Sequence, residues 1–277
     1  MNIVFSSNSI TIGFSNLINF TSVTGENAVE KEDLVNEKII YKLIENSQYP
    51  GENIFINASP ANLTSDIVPR AGEVIYTEDE LKFIVDKFHK CGKKIGCHVA
   101  GEASIEMAIT SGFDVIHHGH GLTERQMDII KDKEIYIVAT PLGGTHLKPN
   151  SPEEICKMVQ KGILVAIATD AYLPPYDDVS WLRFENNSPK GPESLMNISA
   201  PSIKELMNMN YDENEVLKLI TLNGSKVLGI DEKIGSLDIG KDADFIVCKG
   251  IPGLDIDKND DIIKVYFKGT CLIDKNM

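Results

Sequence analysis

The chain has 277 residues, 42% hydrophobic and 25% charged, enough for one large domain with a buried core. A net charge of -14, with no run of Lys or Arg to offset it, excludes a nucleic-acid surface, because phosphate would be repelled. Five cysteines without a CxxC pair exclude a disulfide scaffold and fit a reducing compartment, with Cys97 and Cys248 inside apolar runs as small core residues.

The opening MNIVFSSNSITIGF lacks a positively charged n-region and is broken by Ser and Asn. Neither a signal peptide nor a membrane span is expected there, and a cytoplasmic location is. Ile3–Ser6 reads as a short buried strand, and the Ser/Asn/Thr-rich stretch from Ser7 to Gly25 as a long loop. Apolar spacing predicts a helix over Lys31–Glu45, stopped by Tyr49-Pro50-Gly51, then a strand over Asn53–Ala58. A polar loop, Ser59–Tyr76, leads to Thr77-Glu78-Asp79-Glu80, which has capping-box spacing. The same pattern recurs at Thr123–Gln126, Ser151–Glu154 and Ser202–Glu205, with Asp212–Glu215 a variant. Each precedes a helical pattern, and Pro152 occupies a tolerated first-turn position.

Apolar runs follow at Ile95–Val99, Phe113–Ile116, Ile135–Ala139 and Ile163–Thr169. Strand, loop, capped helix and strand alternate, which implies βαβ crossovers and a parallel sheet. Six strands are marked by Ile3, Ile54, Ile95, Val115, Ile135 and Ile163, where a closed (β/α) barrel needs eight. After Asp170 a Pro/Asp/Asn-rich loop containing Trp181 runs to Pro201, long enough to act as a lid. Two helices are expected next, the second over Glu213–Leu228. The tail then alternates apolar and polar residues around Gly235, Gly240, Gly250 and Gly269, the pattern of antiparallel strands. The expected fold class is therefore α/β: an incomplete TIM-like (β/α) barrel of about six parallel strands over residues 1–228, with a small C-terminal β-sandwich portion over 229–277.

The chemistry-bearing residues sit at strand ends. His98 ends one run, His117 and His118 the next, and Asp170 follows Ile163–Thr169. Parallel strands that finish in nitrogen and oxygen donors are how an α/β barrel builds a metal site at its C-terminal mouth.

The segments CHVAGEASIEMAITSGFDVIHHG, ATDA at Ala168–Ala171, and LITLNGSKVLGIDEKIGSLDIGKDADFIV resemble the amidohydrolase superfamily, closest to its imidazolonepropionase-like and Xaa-Pro dipeptidase-like branch. The opening IVFSSNSITI is similar to that family's third barrel strand. The resemblance implies that His98, His118 and Asp170 are metal ligands, and that Asp170 is also the general base. It implies that His118 binds the metal or polarises the substrate carbonyl. The cofactor implied is one divalent ion at most, zinc being the usual one. The family's first-strand H-x-H is not matched before Ile3, and Phe55 stands where a bridging lysine is common, so two bridged ions are not expected. His118-Gly119-His120 repeats the H-x-H pattern but follows the sixth strand.

The activity implied is hydrolysis of a C–N bond, in a non-peptide or cyclic amide, of a small-molecule substrate. Two alternatives stand beside it: a catalytically inactive remnant, and one subunit of a split enzyme completed by a partner chain. The open edge left by Ile3–Ser6 calls for a homo-oligomer or a partner chain to cover it. Other histidines have plainer readings. His117 is expected to point into the barrel wall or toward a helix, His89 to be solvated, and His146 to play a structural or substrate-contact role. Glu102 fits the helix dipole at a helix start, and Gly143-Gly144 resembles a phosphate cradle only superficially.

Overall fold

The structure of the chain is a computed structural model that describes residues 8–10, 12–13, 29–30, 36–45, 49–52, 54–60, 66, 68–141, 149–170, 194–256 and 259–275. Six strands, β1 (Asn8–Ile10), β4 (Ile54–Asn57), β5 (Gly96–Ala100), β6 (Val115–His120), β7 (Tyr136–Ala139) and β8 (Val165–Ile167), pair in that order, every pair parallel. They form an incomplete TIM-like barrel. A two-stranded parallel pair joins β2 (Ile12–Gly13) to β3 (Val29–Glu30). Near the C-terminus β9 (Phe245–Cys248), β10 (Ile262–Phe267) and β11 (Thr270–Asp274) form a small antiparallel sheet.

The period-two alternation of the strands separates two faces. One carries Ile56, Cys97, Ile116, Ile137 and Val165 into the main core, against the helices. The other carries Val115, Val138 and Ala166, with Val227, into a smaller cluster inside the arc. His98 and His117 share this inner face, because they pair with each other and with Asn57 and Val138 in register.

Helices α1 (Glu37–Glu45), α2 (Glu78–Lys90), α3 (Glu102–Ser111), α4 (Glu124–Asp132) and α5 (Pro152–Gln160) alternate with strands β4 to β8. Helix α2 buries Leu81, Ile84, Val85 and Phe88, a stripe at helical spacing. Its capping box is formed: the Thr77 hydroxyl accepts from Glu80 N, and Thr77 N donates to the Glu80 carboxylate at 2.7 Å. Boxes also form at Thr123–Gln126, Ser151–Glu154 and Asp212–Glu215.

The strand expected at Ile3–Ser6 lies outside the described residues, and several other sequence expectations are corrected. The strand that pairs with β4 is Asn8–Ile10, within the stretch read as loop. Helix α1 starts at Glu37, because the Asn36 side chain accepts from Lys38 N and its carbonyl from Ile39 N and Ile40 N, capping the helix there. Ser202–Glu205 is not a cap: Ser202 lies inside α6 (Leu195–Asn208), which starts upstream and runs through Pro201. The single helix expected over Glu213–Leu228 is instead α7 (Glu213–Leu217), a 3-10 turn over Lys218–Ile220, and α8 (Leu222–Val227). The break falls at Thr221, whose hydroxyl donates back to Leu217 O at 2.7 Å and whose backbone leaves the helical region. Cys97 is a fully buried core thiol, whereas Cys248 is only half-buried, on a strand whose neighbours are open. Among the described residues no helix is long and apolar enough to cross a membrane.

Candidate functional site

Position within the strands decides which side chains meet. His98 is the third residue of β5 and is 3% exposed. Its carbonyl accepts from Ala58 N and Ser59 N, while Ser59 Oγ accepts from Ala100 N at 3.1 Å, so β4 and β5 are locked just above the histidine. On β6, a regular strand would turn His117 inward and His118 outward. A bulge prevents this: Val99 pairs with His118 and Ala100 with His120, leaving Gly119 extra. His118 takes a left-handed backbone (φ 68), followed by Gly119 at φ 62. Bulges commonly re-aim side chains beside active sites, and a non-glycine residue held at positive φ carries strain that such sites tolerate.

As a result His118 meets His98 edge to face, with ring centroids 4.4 Å apart, and stacks on His120 at 5.7 Å. Its Nδ1 lies 2.7 Å from the hydroxyl of Thr140, the residue after β7, and 3.9 Å from Asp170 Oδ2. Thr140 is itself pinned, its N–H donating to Asn150 Oδ1 at 2.9 Å. Asp170 follows β8 and also has a positive φ, 44°. The three residues expected at the mouth are thus linked through His118, which meets His98 in the middle of β5 and lies 3.9 Å from Asp170 in the segment after β8.

Burial sets the electrostatics of the group. Loss of hydration, reinforced by His120 and His117, lowers His98 to about 3, against a backbone hydrogen bond to Pro60 that raises it. The same desolvation, followed by the charges of His98, His120 and His117, holds His118 well below the ordinary histidine range. Burial alone takes His120 to about 4. Asp170 keeps contact with solvent, with 36% of its side chain exposed, yet it sits deep enough that desolvation raises its carboxyl to about 7, with His117 pulling the other way. At neutral pH the mouth therefore presents neutral imidazoles and a carboxylate poised to gain or lose a proton.

Neutral imidazole nitrogen is a zinc donor, and several nitrogens here have nothing else to do. His98 Nε2 and both ring nitrogens of His120 are buried without a hydrogen-bond partner among the described residues. The Thr140 contact to His118 Nδ1 fixes the orientation of the imidazole and takes up that nitrogen, as outer hydrogen bonds to histidine do in metal sites. The donor chemistry fits a divalent cation. Among the described residues, however, no three His, Cys, Asp or Glu side chains converge on one point as they stand.

Other expectations resolve differently. His117 does not enter the barrel wall or meet a helix; it faces the interior, stacked on Phe55 with centroids 4.5 Å apart. Its Nε2 lies 3.4 Å from Glu52 Oε1. Glu52 is fully buried, neither oxygen has a hydrogen-bond partner among the described residues, and it lies against Gly96, where a Cβ would come within 2.9 Å of it. Nothing in its PGEN context announced a buried carboxylate. His89 is not simply solvated: its Nε2 is 2.9 Å from Asp114 Oδ2, which also accepts from Ile95 N. Glu102 opens α3 behind Gly101, which has a φ of 84° and where a Cβ would stand 2.8 Å from Gly72 O, so the position does not admit a side chain. His146, Gly143-Gly144 and Trp181 lie outside the described residues. Sequence reading gave no role to Thr140, although its place at a strand end was the available signal.

Residues 50–272 match the model of the amidohydrolase family. The 5-methylthioadenosine/S-adenosylhomocysteine deaminase of Thermoanaerobacter pseudethanolicus is 27% identical over 189 residues, covering 66% of this chain and 38% of that protein. The imidazolonepropionase of Fusobacterium nucleatum is 24% identical over 177 residues, covering 62% of this chain and 38% of that protein. The chain thus spans about two-fifths of the length of these curated relatives. A prolidase solved in complex with N-methylphosphonate-L-proline superposes with a TM-score of 0.69 at 16% identity, covering 97% of this chain and 68% of that one, a likeness of fold.

Proposed function

Because the chain belongs to the amidohydrolase family, we propose that it is a metal-dependent hydrolase that cleaves a C–N bond of a small molecule, in a non-peptide or cyclic amide. The observation that carries this reading is the meeting of His118 with His98 and Asp170 on one rim. The relatives support the bond type: one is named a deaminase, which breaks a C–N bond, and the other is named for an imidazolone, a cyclic amide.

In this reading His98 and His118 hold a single divalent ion, zinc being the best match to imidazole donors, and Asp170 completes the set. A bound ion of this kind lowers the pKa of a coordinated water to about 7 and polarises a carbonyl. The remaining work belongs to the chain. Asp170 accepts the proton of the attacking water and returns it to the departing nitrogen, a task suited to a carboxyl whose affinity for protons is raised toward neutrality. Thr140 keeps His118 in one orientation. Phe55, packed on His117, fills the place a bridging ligand would need, so one ion is expected rather than two. We also divide the chain at residue 228: the barrel unit closes with α8, Gly229 turns the backbone at φ 67, and the small β portion follows.

The test is turnover of the full chain, supplied with zinc, against cyclic amides and amino-substituted nucleosides, read as ring-opened acid or released ammonia. Asp170→Asn should lower the rate by about 10²–10⁴-fold. Turnover that survives this change unaltered overturns the assignment of the base, and absence of turnover with zinc bound favours a catalytically inactive chain.

A further inference from the structure

We propose that Glu52 is a positioning residue of the site: it holds His117 inside the barrel, so that His118 joins it there only through the bulge in β6. The proposal rests on the functional reading above for what the positioning serves, while its geometry involves neither ion nor substrate.

A fixed backbone delivers the carboxylate. Glu52 N donates to Val227 O and Gly51 N to Leu228 O, each at 2.8 Å. A Cβ at Gly51 would fall 2.2 Å from Leu228 C, so no side chain fits at this junction. The Glu52 side chain then lies along Gly96, its Cγ and Oε1 2.9 Å from where a Cβ of residue 96 would stand. It ends at His117, with Oε1 3.4 Å from Nε2. Phe55 stacks on the same imidazole, centroids 4.5 Å apart, so residues 52 and 55 grip one ring between them. Both carboxylate oxygens and His117 Nε2 are buried without a hydrogen-bond partner among the described residues. An imidazole that carries its proton on Nε2 gives this carboxylate the polar contact its burial demands.

Holding His117 matters because of the next residue. In register His117 pairs with His98 on the inner face, whereas His118 pairs with Val99, which packs in the main core. Regular alternation therefore admits one of these two histidines to the interior, not both. Both rings are inside, and the cost falls on the backbone, at His118 with φ 68 and Gly119 with φ 62. With His117 released, His118 keeps its Thr140 contact on an extended backbone while His117 turns away. Glu52 thus acts through His117 on the backbone that presents His118 to His98 and Asp170.

The experiment uses the full chain, chelator-treated, with Glu52→Met and Glu52→Gln. Methionine has the length of glutamate and no branch, so it fits the slot beside Gly96, and it removes the acceptor that glutamine keeps. Glu52→Met should hold or raise the urea midpoint, because an apolar side chain in place of a buried, poorly paired charge is neutral or stabilising. The carbon shifts of His118 Cα and Cβ, read by NMR, should nevertheless move from left-handed toward extended values, and Glu52→Gln should restore the wild-type shifts. Unmoved His118 shifts in folded Glu52→Met, whatever its midpoint, overturn the proposal and leave Glu52 as packing alone. Should Glu52→Met fail to fold, the wild-type ring-nitrogen shifts decide: a proton on His117 Nε2 is expected, and a His117 protonated on Nδ1 alone overturns the contact. None of these readouts needs turnover, so their failure leaves the functional reading in place, and an inactive wild-type chain leaves the positioning in place.

Discussion

Thr140→Val isolates the contact that holds His118. The substitution keeps the branched shape and removes only the hydroxyl, which lies 2.7 Å from His118 Nδ1 at a position 2% exposed. Among the described residues the Asp170 carboxylate is the other polar group recorded near that nitrogen, and at 3.9 Å it is beyond hydrogen-bond reach. The backbone should not move, because Thr140 N remains bonded to Asn150 Oδ1. Stranding one buried nitrogen costs about 1–3 kcal/mol, so the chelator-treated protein should lose that much stability in urea, read as a lower midpoint at unchanged slope. An orienting partner of this kind also changes metal affinity by about 10–100-fold, so zinc binding should weaken in parallel. Thr110→Val is the control. Among the described residues that exposed hydroxyl bonds to Met107 O within its own helix, and its loss should stay within about 0.5 kcal/mol. If Thr140→Val matches the control in both assays, the hydroxyl does not hold the imidazole and the ordering of the site is wrongly assigned.

Gly96→Ala places a methyl 2.9 Å from Glu52 Cγ and Oε1 and should cost about 1–3 kcal/mol by overpacking. In a Glu52→Ala background the same change should cost clearly less, and additive effects in that double-mutant cycle would contradict the packing described. Acid should destabilise the chelator-treated protein. His98, His118 and His120 are depressed in the fold, so their contribution is complete above about pH 6.5, the unfolded histidine value, and is lost as pH falls toward the folded values. Asp170, raised in the fold, acts in the opposite sense: its contribution is complete below the ordinary aspartate range and is lost as pH rises through about 7. Three groups outweigh one. His120→Phe should therefore flatten the stability profile between pH 6.5 and 4 by up to roughly 1.4 kcal/mol per pH unit, and an unchanged slope would show that His120 is not held neutral.

Much of the frame could be read directly from the residues. Strand positions from Ile54 onward, four of the five capping boxes and the strand-end placement of His98, His118 and Asp170 follow from periodicity and local cap chemistry, which act over a few residues. The failures share a cause: they depend on what distant segments do. Alternation alone puts His117 and His118 on opposite faces, and only the bulge against β5 brings both inside. Ser202–Glu205 has a cap's spacing, but α6 had already begun seven residues earlier at Leu195. The Glu213–Leu228 pattern is periodic throughout, yet Thr221 breaks it by turning its hydroxyl onto the preceding turn. Glu52 is the hardest case, a carboxylate whose burial depends on Gly96, more than forty residues away in the chain, leaving room for it.

The most direct measurement is the metal content of the full chain, expressed with zinc supplied and purified without chelator. About one divalent ion per chain should be found, and it should be lost together in His98→Ala and Asp170→Ala, each confirmed as folded by circular dichroism. A folded wild-type chain that carries no ion even after zinc is added would contradict the assignment of His98, His118 and Asp170 as a metal-binding rim.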